Sequence, residues 1–310
     1  MNKFHVEVEL PKYPFRIHHG TRLFSVGSCF AAEMGKWFEK GGISIEANTH
    51  GILFNPISIG KYFNLISESV SPRVVEVNNR WVSLDHHGSI GAASEHELLA
   101  LLKDLNTKAR MALQQADVVL ITLGTAHVWK WRIDDQTVAN CHKMPQSEFE
   151  KELLSVDEMV ASLVDLVKKL PDKQVILTLS PVRYTRDTLV GNARSKARLL
   201  ESIHQVCESM SNAHYFPAYE IVIDELRDYR FFKEDMIHPS ESAIHHVFER
   251  FVSSTCDEQS IAAWHQIEKL NKVFDHIPLH DDAQHEKAKQ EAAQRIQRIV
   301  DAEKKRNDSH

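Results

Sequence analysis

Short, nearly continuous apolar runs alternate along this chain with longer segments whose apolar residues recur every three or four positions. The runs at 23–26, Val118–Leu123 and Gln174–Leu179 carry apolar residues on both alternating faces. That pattern predicts parallel strands covered on both sides. Ser44–Ala47 and residues 214–216 read as two weaker strands. Between them, helical spacing runs over 31–40, 57–67, 95–116, 156–170, 193–210 and 240–252. Strand–helix alternation of this kind predicts a doubly wound α/β sheet. Two β-hairpins interrupt it, one over 74–84 turning at Asn78-Asn79 and one over 127–140 turning at Asp134-Asp135-Gln136. They read either as flaps over a site or as an edge extension. From about 281 to 306 the chain is rich in Ala, Gln, Glu, Lys and Arg, with Ile296, Ile299 and Val300 as its larger apolar residues. This predicts a solvated helix docked along a narrow stripe. The expected division is one α/β domain over 1–255 and a helical extension over 256–310.

Open α/β sheets bind ligands outside the carboxyl ends of their strands. Gly27, Gly124 and Ser180-Pro181 all fall at such ends. The first carries the most chemistry, because Ser28 and Cys29 sit where a strand turns into a helix. Unpaired N–H groups at a helix start stabilise a thiolate or an oxyanion, and are expected to lower the thiol pKa. Far downstream, Asp235-Met236-Ile237-His238-Pro239 places an acid and a base three residues apart. Together these point to acyl-group chemistry, with a helix cap as the plain alternative for the Asp–His pair and a small core thiol for Cys29.

Composition narrows the field. The 310 residues are 43% hydrophobic, which suits a sizeable core and excludes a disordered chain. A net charge of −6 argues against a nucleic-acid partner held by phosphate neutralisation. Cys29, Cys141, Cys207 and Cys256 show no metal-ligand spacing, and no metal site is expected. The 19 histidines are mostly scattered. No membrane-length apolar run and no signal-peptide pattern occur, so a soluble cytoplasmic setting is expected.

Gly27-Ser28-Cys29-Phe30-Ala31 resembles the signature of the GSCFA-domain family. Phe54-Asn55-Pro56, Leu123-Gly124-Thr125, Asn140-Cys141-His142-Lys143, Ser180-Pro181-Val182-Arg183, Ser195-Lys196-Ala197 and the 235–239 segment agree with it in order. The likeness runs from about 22 to 252 and places the chain near the SGNH/GDSL hydrolase-like superfamily. It implies a flavodoxin-like three-layer α/β/α sandwich with a parallel sheet, here with two inserted hairpins and a helical tail. In that register Cys29 takes the nucleophile place and Ser28 the place before it, with Ser28 as the alternative nucleophile. His238 would be the general base and Asp235 its orienting partner. Gly124-Thr125-Ala126-His127 occupies the third-block place, with Ala126 where the superfamily has Asn. The usual oxyanion donors are therefore in doubt. Asn55, Gly124 and Gly51 are the replacement candidates, though Asn55-Pro56 is equally a helix-start signal. Arg183, His142 and Lys143 are candidate anchors for a phosphate or carboxylate, with structural hydrogen bonding as the competing role.

The leading expectation is covalent acyl transfer or ester hydrolysis on a glycan or polar-lipid O-acyl group. No cofactor is expected beyond acyl-CoA as a donor substrate. The rival is a noncatalytic carbohydrate-binding or scaffolding domain on the same fold; neither reading sets the oligomeric state.

Overall fold

The structure, a computed structural model, describes residues 6–67, 69–275 and 283–307. Strand β1 (Arg22–Gly27) leads into helix α1 (Cys29–Lys40), and β2 (Ser44–Ala47) into α2 (Pro56–Ile66). A small antiparallel sheet follows, made of β3 (Val74–Val77), β4 (Arg80–Ser83) and β5 (Gly91–Ala92). Helix α3 (Glu95–Gln115) returns to β6 (Val118–Leu123). A second antiparallel sheet then leaves the body as β7 (His127–Trp131), β8 (Gln136–Val138) and β9 (Phe149–Leu153). Helix α4 (Val156–Lys168), β10 (Gln174–Leu179), α5 (Thr188–Ser209) and β11 (Ala213–Phe216) complete the winding. A one-turn helix α6 (Ala218–Glu220) continues as a π-turn over Ile221–Glu225. Helices α7 (Glu241–Thr255), α8 (Glu258–Asp275) and α9 (Ala283–Asn307) close the described chain.

Among the described residues the central sheet has five strands in the order β2–β1–β6–β10–β11, all parallel. In order of entry that is 2-1-3-4-5, the flavodoxin-like arrangement. The alternation of side chains along each strand builds two cores. Phe24, Val26, Val119, Ile121, Leu123, Val175 and Leu177 face one side with buried residues of α2, α4 and α5. Leu23, Val118, Leu120, Ile176 and Phe216 face the other with residues of α1, α7 and Trp264 of α8. The parallel sheet, its three-layer cover and both hairpins agree with the sequence reading.

The hairpin turns match as well. Asn78 and Asn79 hold φ of 51° and 59°, the pair of left-handed residues a two-residue turn of this hand requires. Two strands go beyond the sequence expectation, β5 and β9. Strand β9 reads Phe-Glu-Lys-Glu-Leu, and its three central charges conceal an antiparallel edge paired to β7. Helix α9 lies in the region read as a docked tail. Its Ala292 and Val300 are buried and Ile296 and Ile299 partly so, which is the expected narrow stripe. No helix among the described residues is long and apolar enough to cross a membrane.

Candidate active site

Residues 27–31 turn from strand to helix under three constraints. Gly27 pairs with Thr122 of β6, its N–H donates to Asn48 Oδ1 at 2.8 Å, and its carbonyl accepts from Leu53 N at 3.0 Å. The Ser28 N–H donates to the Thr122 carbonyl at 3.1 Å. Ser28 is the N-cap of α1, and its side chain caps nothing. The residue is 1% exposed, and among the described residues its hydroxyl has no hydrogen-bond partner. Cys29 is the first helical residue and is partly exposed. The N–H groups of Phe30 and of Cys29 itself reach the sulfur and favour its thiolate. Burial opposes them and wins, so the thiol sits above its ordinary range. This corrects the expectation from helix position alone: the helix start does stabilise the thiolate, but desolvation is the larger effect.

The Asp–His pair forms as its spacing implied. Asp235 Oδ1 accepts from the N–H groups of Ile237 at 2.9 Å and His238 at 3.0 Å, while Oδ2 meets His238 Nδ1 at 2.7 Å. Those N–H bonds and the imidazole hold the Asp235 carboxyl far below the usual carboxylate range. Met236, at φ 57°, makes the tight bend. With Nδ1 engaged, Nε2 of His238 has no hydrogen bond among the described residues and is the ring atom available for chemistry. The loop is fastened to the body: Lys233 N donates to the His238 carbonyl at 2.8 Å, and Arg183 N to the Ile237 carbonyl at 3.2 Å. Arg183 thus brings the end of β10 to the Asp–His loop. Cys29, Phe232 and Ile237 pack against the same core cluster.

The remaining candidates divide. Asn55 Oδ1 caps α2 by accepting from Ser58 N at 2.8 Å, so the helix-start role is realised. Its amide nitrogen makes no hydrogen bond among the described residues. The Gly124 N–H donates to the Phe54 carbonyl at 2.7 Å, which removes it from the set of free oxyanion donors. Gly51 donates its N–H to Asn48 O at 2.7 Å and lies under His87, away from that role too. Arg183 stacks its guanidinium over Phe232 at 4.9 Å, in a cleft of about 310 Å³ that Asp224, Arg227 and Tyr229 also line. His142 and Lys143 do not join this group. The His142 ring meets the Ser83 carbonyl at 2.7 Å in the seam between the two small sheets, and Lys143 is exposed beside it. Burial pushes the neighbouring Cys141 thiol up to about 11.

Asn48 escaped the sequence reading, and Phe54 and Lys196 entered it only as parts of family-like stretches, with no role at this edge. Asn48 anchors the turn through Gly27. Phe54 accepts both Gly124 N and Thr125 N, and its ring meets Tyr184 at 5.6 Å. Lys196 is 3% exposed, and its Nζ donates to the carbonyls of Gly124 at 2.8 Å and Ser180 at 2.6 Å. Extending the buried stripe of α5 backwards from Leu199, Ile203 and Val206 would have placed Asn192, Ser195 and Lys196 inward.

The GSCFA family model matches residues 22–251. The chain belongs to the GSCFA family. The match covers the central sheet and the Ser28-Cys29 and Asp235–His238 segments alike. No curated protein sequence matches the chain. Among solved structures, a psychrotrophic esterase from Pseudoalteromonas sp. is similar at 16% identity, over 76% of this chain and 96% of its own, with a TM-score of 0.33. An acetyl-xylooligosaccharide esterase from Geobacillus is similar at 14% identity, over 79% and 98%, with a TM-score of 0.38. An acetyl xylan esterase from Butyrivibrio proteoclasticus is similar at 12% identity, over 78% and 64%, with a TM-score of 0.37.

Proposed function

We propose that this GSCFA protein performs covalent acyl chemistry, with Cys29 as nucleophile and the Asp235–His238 pair as its acid–base machinery. The observation that carries the reading is the imidazole of His238, locked through Nδ1 by Asp235 with Nε2 left free. The helix-cap role falls instead to Ser240, whose hydroxyl accepts from Ala243 N at 3.3 Å at the start of α7. In the reaction, the thiolate attacks an ester or thioester carbonyl and the Cys29 and Phe30 N–H groups lie close to the charge that develops. His238 carries protons between the nucleophile, the leaving oxygen or sulfur, and the incoming water or hydroxyl. Asp235 holds the tautomer and balances the imidazolium. Cys29 is preferred to Ser28 because Ser28 is enclosed at 1% exposure, while the thiol is partly open.

Hydrolysis of an O-acyl group on a glycan or polar lipid and transfer of that group to an acceptor hydroxyl share this chemistry. Trapping with a slowly turned-over acyl ester, followed by mass spectrometry of the digested adduct, tests the nucleophile. The expected adduct maps to Cys29 and disappears in Cys29→Ala. An adduct on Ser28 with full activity in Cys29→Ala would remove Cys29 from the mechanism. Absence of any adduct or turnover over a broad ester and thioester panel would favour the noncatalytic binding domain.

A further inference from the structure

Helix α1 carries a charged face that leads away from Cys29. Cys29, Glu33, Lys36, Trp37 and Lys40 fall three or four residues apart, so they share one side of the helix. A rise of about 1.5 Å per residue makes the row roughly 16 Å long. Its far part forms one wall of a cleft of about 310 Å³, closed by Lys233 beside the Asp–His pair and by Glu241 of α7. Trp37 and Lys40 also line a second cleft, of about 100 Å³, with Glu268 and Lys272 of α8. Two clefts that share these residues make a groove running from the Asp–His loop to α8.

The charges on its walls are unevenly matched. Lys36 pairs with Glu33 at 2.8 Å, and Glu268 meets His245 Nε2 at 2.8 Å. Lys40, Lys233 and Lys272 are exposed and meet no carboxylate among the described residues. The Lys40 ammonium stands 5.0 Å over the half-buried Trp37 ring. These uncompensated cations stand against a net charge of −6 for the whole chain. They are also spread along the groove, which fits an anion repeated along an extended ligand better than one terminal phosphate. Trp37 offers an apolar surface and Glu241 an acceptor for hydroxyl groups, the pair of features that a sugar ring presents in complement.

The groove is separate from the arginine cleft. Asp228, Tyr229 and Phe232 line the cleft of Arg183, whereas Lys233, the next residue, lines the lysine groove. The loop that holds Asp235 and His238 therefore borders both.

We propose that the lysine groove binds an oligosaccharide bearing carboxylates, as the acceptor of the acyl group. Its carboxylates lie on Lys40, Lys233 and Lys272, and a sugar face lies against Trp37. A chain laid along α1 brings one hydroxyl to the Cys29 end. There His238 Nε2 takes the hydroxyl proton, the oxygen bonds to the acyl carbon, and the C–S bond breaks with its electron pair on sulfur. The proton then passes from Nε2 to the thiolate. This step rests on the acyl chemistry proposed above, but the binding does not.

The test is isothermal titration calorimetry on the Cys29→Ala protein, where no acyl-enzyme forms. The probes are oligosaccharides of galacturonate, of mannuronate and of hyaluronan, each beside its methyl-esterified, uncharged form. An acidic probe should bind, its uncharged form about tenfold more weakly or worse. Binding should weaken as salt rises. Lys40→Gln combined with Lys233→Gln should cost about tenfold or more in affinity at unchanged melting temperature. Lys103→Gln, exposed on α3, should match the parent and controls for charge in general. Equal affinity for the uncharged forms, full affinity in the double variant, or no acidic probe bound overturns the assignment. Acetyl-CoA binding that weakens in the double variant, with the sugars unbound, gives the lysines to a phosphate-bearing donor and overturns it as well. The titrated protein has no thiol at position 29, so these outcomes are separate from whether Cys29 is the nucleophile.

Discussion

At Gly27 a methyl group has nowhere to go. A Cβ there would lie 2.3 Å from the Thr122 carbonyl oxygen, on backbone at φ 150°. Both faults belong to backbone atoms, so no side chain can give way. Gly27→Ala is expected to lower stability by roughly 1–3 kcal/mol or more, read by urea denaturation. Its Cys29 alkylation should also change, because the same turn sets the thiol. The Asp235–His238 pair gives the complementary residue-scale prediction. His238→Ala should lower turnover of an acyl ester ~10²–10⁴-fold with little change in melting, since the ring is half exposed and, among the described residues, bonds only to Asp235. Asp235→Asn should cost less than His238→Ala, because the amide oxygen can still cap the loop N–H groups while losing the tautomer control. Unchanged turnover in a folded His238→Ala protein would reject the proposed base.

At the scale of elements, the first small sheet is seated on the body through two histidines. His50 and His86 stack at 5.0 Å and are each 1% exposed. Among the described residues neither ring nitrogen of His50 nor Nε2 of His86 makes a close hydrogen bond, although the Asn106 side chain lies near enough to favour the His50 imidazolium. Burial lowers their pKa values to about 4 and about 3, below the usual 6.5. Between those values and 6.5 the unfolded chain binds the protons that the folded chain refuses. Stability is therefore full above about pH 6.5 and falls as pH drops toward 4, by up to about 1.4 kcal/mol per pH unit for each ring. His50→Phe keeps the stacking partner of Tyr62 and His86 and removes two buried ring nitrogens. Its melting temperature should hold up better than the wild type's between pH 7 and 5. An equal acid loss in the two proteins would show that other groups set it. This contact also marks the limit of what the sequence reveals. Val118–Leu123 and Gln174–Leu179 are legible because burial on both faces leaves no polar alternation. The seats of the small sheets are not, because His86-His87 looks like solvated surface until His50 packs against His86, and the exposed charges of Glu150-Lys151-Glu152 conceal the pairing of β9 with β7. Lys196 is legible in the sequence only as part of the Ser195-Lys196-Ala197 stretch; the helical stripe turns it inward, but which carbonyls receive it depends on the approach of β6 and β10. The contact between Asp235 and His238 is legible because their spacing is local.

Over the whole molecule, the two small sheets behave as one attachment. The Ala139 N–H donates to the Leu84 carbonyl at 2.7 Å, Leu84 packs with Val138 and Phe149, and Arg73 joins Asp85 to Asp134. The attachment also reaches the site edge, where His127 and Lys151 both meet Asp187 in the turn before α5. That turn follows Arg183 and Tyr184, so β7 and β9 brace the segment that carries the arginine cleft and the Asp–His loop. A transferase must keep water from its acyl-enzyme, and a braced edge with a polar cleft beside it is what such an enzyme needs. Arg183 touches no reacting group in this scheme; it offers a planar cation to a phosphate or carboxylate remote from the carbonyl. A group that binds ground and transition states alike changes KM and leaves kcat nearly as it was. Arg183→Ala is therefore expected to raise KM about tenfold or more for an anionic acyl substrate, with kcat changed little. A neutral acyl ester should show almost no effect, which separates substrate anchoring from damage to the loop bonded through the Arg183 N–H. The same assay, run with an acyl-CoA or a simple ester and with or without a pool of sugar acceptors, decides between transfer and hydrolysis. Acceptor-dependent release of the donor's leaving group supports the transferase. Rapid release of free acid with no acceptor present establishes the hydrolase instead, and would mean that the attachment braces the site without sealing it.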